Sequence, residues 1–247
     1  MKRHGSWFVA ALLTGGVLAF TAACSRLKAA AADPKTEDQK TVYALGLVLG
    51  RNIALFNLTP GELDLVKAGL TDSIMKNKSA VELDVYSPKV DALARTRMQA
   101  TTVAEKERGK LALDKAARDP GAVKLPSGVV FRTTRAGTGP NPTAADQVKV
   151  HYQGTLTDGT VFDSSYKRKQ PATFPLGGVI PCWTQGVQRM KVGEKATLTC
   201  PSEAAYGDQG QRGTIPGGAT LIFEVELLEI MAPAGAGMSS PPAMPPH

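Results

Sequence analysis

The period of the sequence changes at Asp119-Pro120-Gly121, and that break decides what the chain can fold into. Before it, apolar residues recur at three- and four-residue steps, the spacing of one helix face. After it, short runs alternate apolar and polar residues, the spacing of strands with one buried side. One uniform fold cannot satisfy both periods, so the 247 residues are expected to build a helical part and then a sheet part.

In the first part, Val42, Leu45, Leu49, Ile53 and Phe56 form one helical stripe. Leu63, Val66, Leu70 and Ile74 form a second, after the break at Thr59-Pro60-Gly61. Gly46 and Gly50 sit four apart on the first helix. Each costs about 1 kcal/mol against alanine, a cost that close approach of another helix would offset. A third helix is predicted from Asp84, as an N-cap ahead of Pro88 in the first turn, to Arg118. Asp91/Arg95 and Asp114/Arg118 have i,i+4 ion-pair spacing on it. Its distal half is rich in Glu, Lys and Arg and reads as a solvated, rigid spacer. Such narrow apolar faces make a thin core, which either a second copy or the rest of the same chain could complete.

In the second part, Val129–Thr134, Val148–Leu156, Glu194–Cys200 and Thr220–Ile230 are β-rich. Leu221, Phe223, Val225 and Leu227 alternate with Thr220, Ile222, Glu224 and Glu226, and Asp158-Gly159 is a hairpin signal. One helix interrupts the runs, with Trp183, Val187 and Met190 at i, i+4 and i+7. The expected architecture is α+β: a curved antiparallel half-barrel sheet wrapped on one short helix, preceded by an all-α region with a long spacer helix.

The amino terminus reads Lys2 and Arg3, an apolar run Trp7–Phe20, then Thr21-Ala22-Ala23. This is the order of a secretory signal peptide, and the run is shorter than the ~20 residues that span a membrane. Cys24 follows in the position of a lipobox cysteine, although Thr21 stands where lipoboxes usually carry leucine. Lipidation of Cys24 and ordinary cleavage nearby both stay open; either places the mature chain in the periplasm or at the outer membrane. Residues 24–40 read as a linker, and the Pro/Gly/Ser-rich stretch 232–247 as a disordered tail.

Apolar residues make up 43% and charged residues 21%, which argues against polytopic membrane and wholly disordered chains. The net charge of +7 is dispersed, so a nucleic-acid partner is not expected; Tyr166-Lys167-Arg168-Lys169 reads as a solvated basic loop. Phosphate loops, zinc-type Cys/His spacings and GxSxG are absent. Past the signal segment the histidines are His151 and the terminal His247, so a Cys–His nucleophile is disfavoured and His151 reads as a strand residue. An even pair, Cys182 and Cys200, is compatible with a disulfide in an exported chain.

Four segments stand in order: V-x-V-H-Y-x-G-x-L-x-D-G-x-x-F-D-S-S at Val148–Ser165, V-I-P-x-W at Val179–Trp183, A-Y-G at Ala205–Gly207 and A-T-L-x-F-E-V-E-L-L at Ala219–Leu228. They resemble the FKBP-type peptidyl-prolyl cis-trans isomerases over roughly Val123–Ile230. YALGLVLGRN at Tyr43–Asn52 is similar to the dimerisation domain of the Mip/FkpA-like bacterial subfamily. The resemblance implies a helical dimerisation domain at 41–96, a spacer helix at 97–120 and an isomerase domain at 121–231. It implies a homodimer through residues 41–118 and no cofactor or metal. Clients would be proline-containing unfolded or nascent exported polypeptides, and inhibitors macrolides of the FK506/rapamycin type.

Carried over motif by motif, the resemblance assigns catalytic roles to Tyr152, Asp163 and Tyr206, and substrate contacts to Phe162, Val179, Ile180, Trp183, Ile215 and Phe223. Trp183 would be the floor, although core packing explains Trp183 and Phe223 on single-residue grounds. A turn with Ser164 and Ser165 is the plain alternative for Asp163, and an exposed loop for Tyr206. Ala172 replaces a phenylalanine found in some single-domain members, which implies a wider pocket on that side. Cys182 stands where many members have glycine, and a bond to Cys200 would lie beneath the pocket. An alternative of another class is a periplasmic chaperone or binding module with little catalytic turnover.

Overall fold

The structure is a computed structural model that describes residues 33–231. The signal segment, Cys24 and the tail lie outside the described residues. The chain divides into two units, residues 1–43 and 44–247, and the described part of the first is the stretch from Asp33 into the opening helix.

Helix α1 spans Glu37–Ile53 and so begins inside the stretch read as linker. The signal overlooked there is a capping box. Gln39 N donates to Thr36 Oγ1 at 3.2 Å, and Gln39 Oε1 accepts the Thr36 N–H at 3.2 Å. Helix α2 (Pro60–Met75) starts the same way, with Thr59 N donating to Glu62 Oε2 at 2.8 Å and Pro60 in the first turn. Helix α3 (Leu83–Ala116) corrects the predicted cap. Glu82 is its N-cap residue without a side-chain bond, Asp84 lies in the first turn, and Pro88 is inside the helix. The carboxylate of Asp84 favours the positive end of the helix dipole without capping it.

Arg97 of α3 fastens the helices together, donating to the Phe56 carbonyl at 3.0 Å and to Glu62 Oε1 at 2.5 Å. Hydrogen bonds from Arg97 and from Thr59 hold the Glu62 carboxyl at about 2, against an ordinary 4.5. No residue of α1 or α2 is buried.

A Cβ built on Gly46 or Gly50 would meet nothing within 4 Å, so no other part of the described chain approaches them. The close approach falls elsewhere, at Gly109 of α3, where a Cβ would lie 2.2 Å from Thr220 Oγ1. The distal half of α3 is therefore docked rather than solvated along its whole circumference, with Glu105 and Gly109 buried. Charge density misled the sequence reading here, because one small residue is enough to let a polar helix rest on a sheet.

The sheet has seven strands: β1 (Ala122–Lys124), β2 (Val130–Arg135), β3 (Gln147–Leu156), β4 (Val161–Ser164), β5 (Ala172–Pro175), β6 (Lys195–Cys200) and β7 (Leu221–Met231). Its order is β1-β2-β6-β7-β3-β4, with β5 also on β3, and every pairing is antiparallel. β5 pairs with the first half of β3 and β4 with the second, so both flank the edge of β3 away from β7. The alternation of β7 is as read, with Leu221, Phe223, Val225 and Leu227 buried.

Helix α4 (Pro181–Val187) packs against β6 of this sheet. Its Trp183 and Val187 are buried, as is Met190 just beyond its end. Gly186 lets it lie close, since a Cβ there would be 2.6 Å from Leu198 Cδ2 of β6. Cys182 of α4 and Cys200 of β6 are fully buried, with Cα atoms 5.7 Å apart and their sulfurs paired.

Candidate active site

The site grows from the contact of α4 with the sheet. Pro181 begins α4 with its φ already helical, and the next turn presents the Trp183 indole to the strands. Three rings stand edge-on to it: Tyr152 of β3 at 5.2 Å, Phe174 of β5 at 5.6 Å and Phe223 of β7 at 5.4 Å between centroids. Edge-to-face packing aims the positive ring edge at a negative ring face, which fixes the box without polar atoms. Phe162 of β4 extends it, edge-on to Phe223 at 5.6 Å. Room for Phe162 comes from Gly154, where a Cβ would lie 2.5 Å from Phe162 Cζ.

One polar group enters this box. Asp163 accepts hydrogen bonds from the Tyr152 hydroxyl and from the Arg168 guanidinium, and Arg168 Nη2 also donates to the Tyr152 oxygen at 3.0 Å. Partial burial pushes the Asp163 carboxyl up, but hydrogen bonds from Tyr152 and Arg168 and the Arg168 charge outweigh it and hold the pKa below the usual carboxylate range. Tyr152 shifts the other way, raised by burial and by its bond to Asp163. At neutral pH the triad is a carboxylate, a phenol and a guanidinium.

The structure brings Tyr152, Phe162, Asp163, Trp183 and Phe223 into direct contact through these packed rings and bonds. Val179 and Ile180 precede α4 and pack on the same core, to which the buried Ile215 also belongs. The Ile180 amide donates to nothing among the described residues. Tyr206, in the turn that follows β6, is 38% exposed and makes no ring or side-chain hydrogen-bond contact with the box among the described residues. His151 has the structural role expected of it, with Nδ1 3.0 Å from Ser165 Oγ and its ring stacked on Tyr166.

Two contributors escaped the sequence reading. Phe174 shares a face with Ala172 on β5, but that strand is four residues long and half exposed, too short for period alone to mark it. Arg168 was read as part of a solvated basic loop, whereas its guanidinium holds Asp163. The pair is separated by five residues across a turn, a spacing no helix or strand rule flags.

The site is thus an apolar aromatic box with one clamped carboxylate at its wall. Residues 139–228 match the family model of the FKBP-type peptidyl-prolyl cis-trans isomerases, and residues 38–133 match that of the domain amino terminal to them. The FKBP-type isomerase FkpA of Aeromonas hydrophila is 40% identical over 218 residues, covering 83% of this chain and 81% of that one. The outer membrane protein MIP of Legionella longbeachae is 33% identical over 232 residues, covering 89% and 97%. The crystal structure of FkpA from Escherichia coli superimposes with a TM-score of 0.61 at 35% identity, covering 81% of this chain and 99% of that one. The chain therefore belongs to the FKBP-type peptidyl-prolyl cis-trans isomerases, enzymes that accelerate rotation about X-Pro bonds.

Proposed function

We propose that the box on Trp183 is where this isomerase turns over its substrate, and that its chemistry is environmental rather than covalent. Rotation about an amide faces a barrier of ~18–20 kcal/mol because resonance gives the C–N bond double-bond character. Twisting removes that resonance, and the carbonyl oxygen loses negative charge. A dry aromatic site favours the less polar twisted state over the planar one.

In this reading the proline ring rests on the Trp183 indole among Tyr152, Val179, Ile180 and Phe223, with Phe162 and Ile215 closing the sides. The Ile180 N–H and the Tyr206 hydroxyl hold substrate carbonyls on either side of the twisting bond. Asp163, fixed and ionised, acts on the carbonyl through its field and moves no proton. A negative charge near that oxygen penalises the planar amide more than the twisted one. The observation that carries this reading is the pairing of an aromatic box with a clamped carboxylate at its wall. Ala172 in place of a larger ring leaves room on the β5 side, and macrolides of the FK506/rapamycin type fit the same box.

The remaining assignments follow. Residues 41–96 form a dimerisation domain, 97–120 a connecting helix and 121–231 the isomerase domain. The exposed faces of α1 and α2, with Leu45 at 58% and Ile74 at 65%, are covered by a second copy. The signal segment exports the chain to the periplasm or outer membrane, anchored there if Cys24 is lipidated, and the Cys182–Cys200 bond forms on export. The name of the Legionella relative supports that location. Clients are unfolded or nascent exported polypeptides containing proline.

The same exposed apolar faces support a second reading, capture of unfolded chains with little turnover. Substitution separates the two. Asp163→Ala and Tyr206→Phe are each expected to lower kcat/KM for a short proline peptide about tenfold, equivalent to ~1.4 kcal/mol, and to weaken macrolide binding. Unchanged turnover and macrolide binding in both variants would dismiss the site, whereas unchanged suppression of client aggregation alone would favour capture.

A further inference from the structure

A cavity distinct from the aromatic box is a cleft of about 640 Å³ between the end of α1, the middle of α3 and the loop 208–217. That volume falls within the ~300–1,000 Å³ usual for ligand sites.

Its walls are held in place by backbone contacts. A Cβ on Gly217 would lie 2.8 Å from Thr102 Oγ1 of α3, and one on Gly213 would lie 3.3 Å from the Arg51 carbonyl oxygen. Gly213 also has a φ of +73°, which side chains rarely adopt. The loop is thus pressed against both helices at glycines, and the space between those contacts is preformed.

The charges in the cleft do not balance. Its two carboxylates are both engaged, Glu105 with Arg108 at 3.1 Å and Asp208 with Lys106 at 2.6 Å. Arg51 and Arg212, which also line it, are exposed and form no ion pair among the described residues. Two cations are therefore left to face an occupant. The cleft shares Ile215 with the proposed proline site, so the two are adjacent.

We infer that this cleft is a subsite for the client polypeptide flanking the proline, and that Arg51 and Arg212 select acidic side chains in that flank. The inference rests on the isomerase reading of the neighbouring box. It makes the helical region part of the specificity apparatus.

The test uses the full mature chain and exchange spectroscopy of three synthetic peptides at low salt. One is a tetrapeptide with a Leu-Pro bond, one a dodecapeptide with the same bond flanked by Asp and Glu, and one its Asn and Gln counterpart. The acidic dodecapeptide is expected to have a kcat/KM roughly three- to tenfold above the neutral one, a ratio that falls as salt screens exposed charges. Joint Arg51→Gln and Arg212→Gln substitution is expected to bring the ratio to one, and Arg51→Glu with Arg212→Glu to invert it. Turnover of the tetrapeptide with equal rates for both long peptides, or a ratio unmoved by substitution, would overturn the subsite alone. Failure with the tetrapeptide too would strike the isomerase reading and the subsite with it.

Discussion

The helical region and the sheet region satisfy their apolar residues in opposite ways. In the sheet region Val148, Val150, Leu198, Leu221 and Leu227 are fully buried, and the Tyr152, Trp183 and Phe223 rings of the aromatic site belong to the same buried core. In α1 and α2 no residue is buried, while Leu65 is 74% and Val42 69% exposed. The sheet region is finished within one chain. The helical region has helices that are capped and clamped by Arg97 but whose apolar faces have nothing to cover them among the described residues. Local signals can therefore be complete where tertiary burial is not, because caps and turn bonds need only neighbours in sequence.

That contrast is open to attack from both sides. The largest effect is expected at Trp183, where truncation to alanine should cost ~3–5 kcal/mol by removing a buried aromatic, read as a lower urea midpoint. Leu70→Ala on α2 is expected to leave the single protomer within about 0.5 kcal/mol and to weaken the proposed dimer, read by sedimentation. A similar loss at both positions would erase the distinction between the regions.

Glycine substitutions sharpen it further. Gly109→Ala forces a methyl to 2.2 Å from Thr220 Oγ1, an overpacking of about 1–3 kcal/mol that should appear in thermal melts and be relieved by Thr220→Ala. Gly46→Ala meets nothing within 4 Å in one chain, so it should raise helix stability by up to about 1 kcal/mol in the monomer. If the dimer seam runs over Gly46, the same change should raise the dimer dissociation constant instead.

The smallest effect concerns pH. Glu62 is depressed from 4.5 to about 2 by its bonds to Arg97 and Thr59, so the folded state binds fewer protons there than the unfolded one. The sign follows by linkage: its contribution is present above pH 4.5 and is lost as pH falls towards about 2. Acid titration of ellipticity should show that loss, and Glu62→Gln should remove it from the profile while leaving the sheet region unchanged.

The parts of this molecule that the sequence revealed are those with a local period. The stripes of α1 and α2, the alternation of β7 and the Trp183–Val187 stripe of α4 were all legible, because apolar residues repeat at fixed steps along each element. Tyr152, Phe162, Trp183 and Phe223 were named through the order of four motifs, whereas Phe174 sits on a strand too short for its period to mark it. Arg168 was not legible either, since its partnership with Asp163 crosses a turn. Nor was the docking of α3, which depends on Gly109 meeting Thr220 from the far end of the chain. Such contacts are set by how elements pack, and no residue near either partner announces them. The start of α1 was a different kind of miss, since Thr36 and Gln39 spell a capping box inside a segment whose composition suggested a linker.

The central claim is that isomerisation takes place on the aromatic box. Exchange spectroscopy of a proline tetrapeptide with the intact chain, before and after one equivalent of FK506, tests it most directly. The account requires fast cis–trans exchange that the macrolide abolishes in proportion to its occupancy. Exchange that persists at full occupancy would place the catalysis somewhere other than on Trp183.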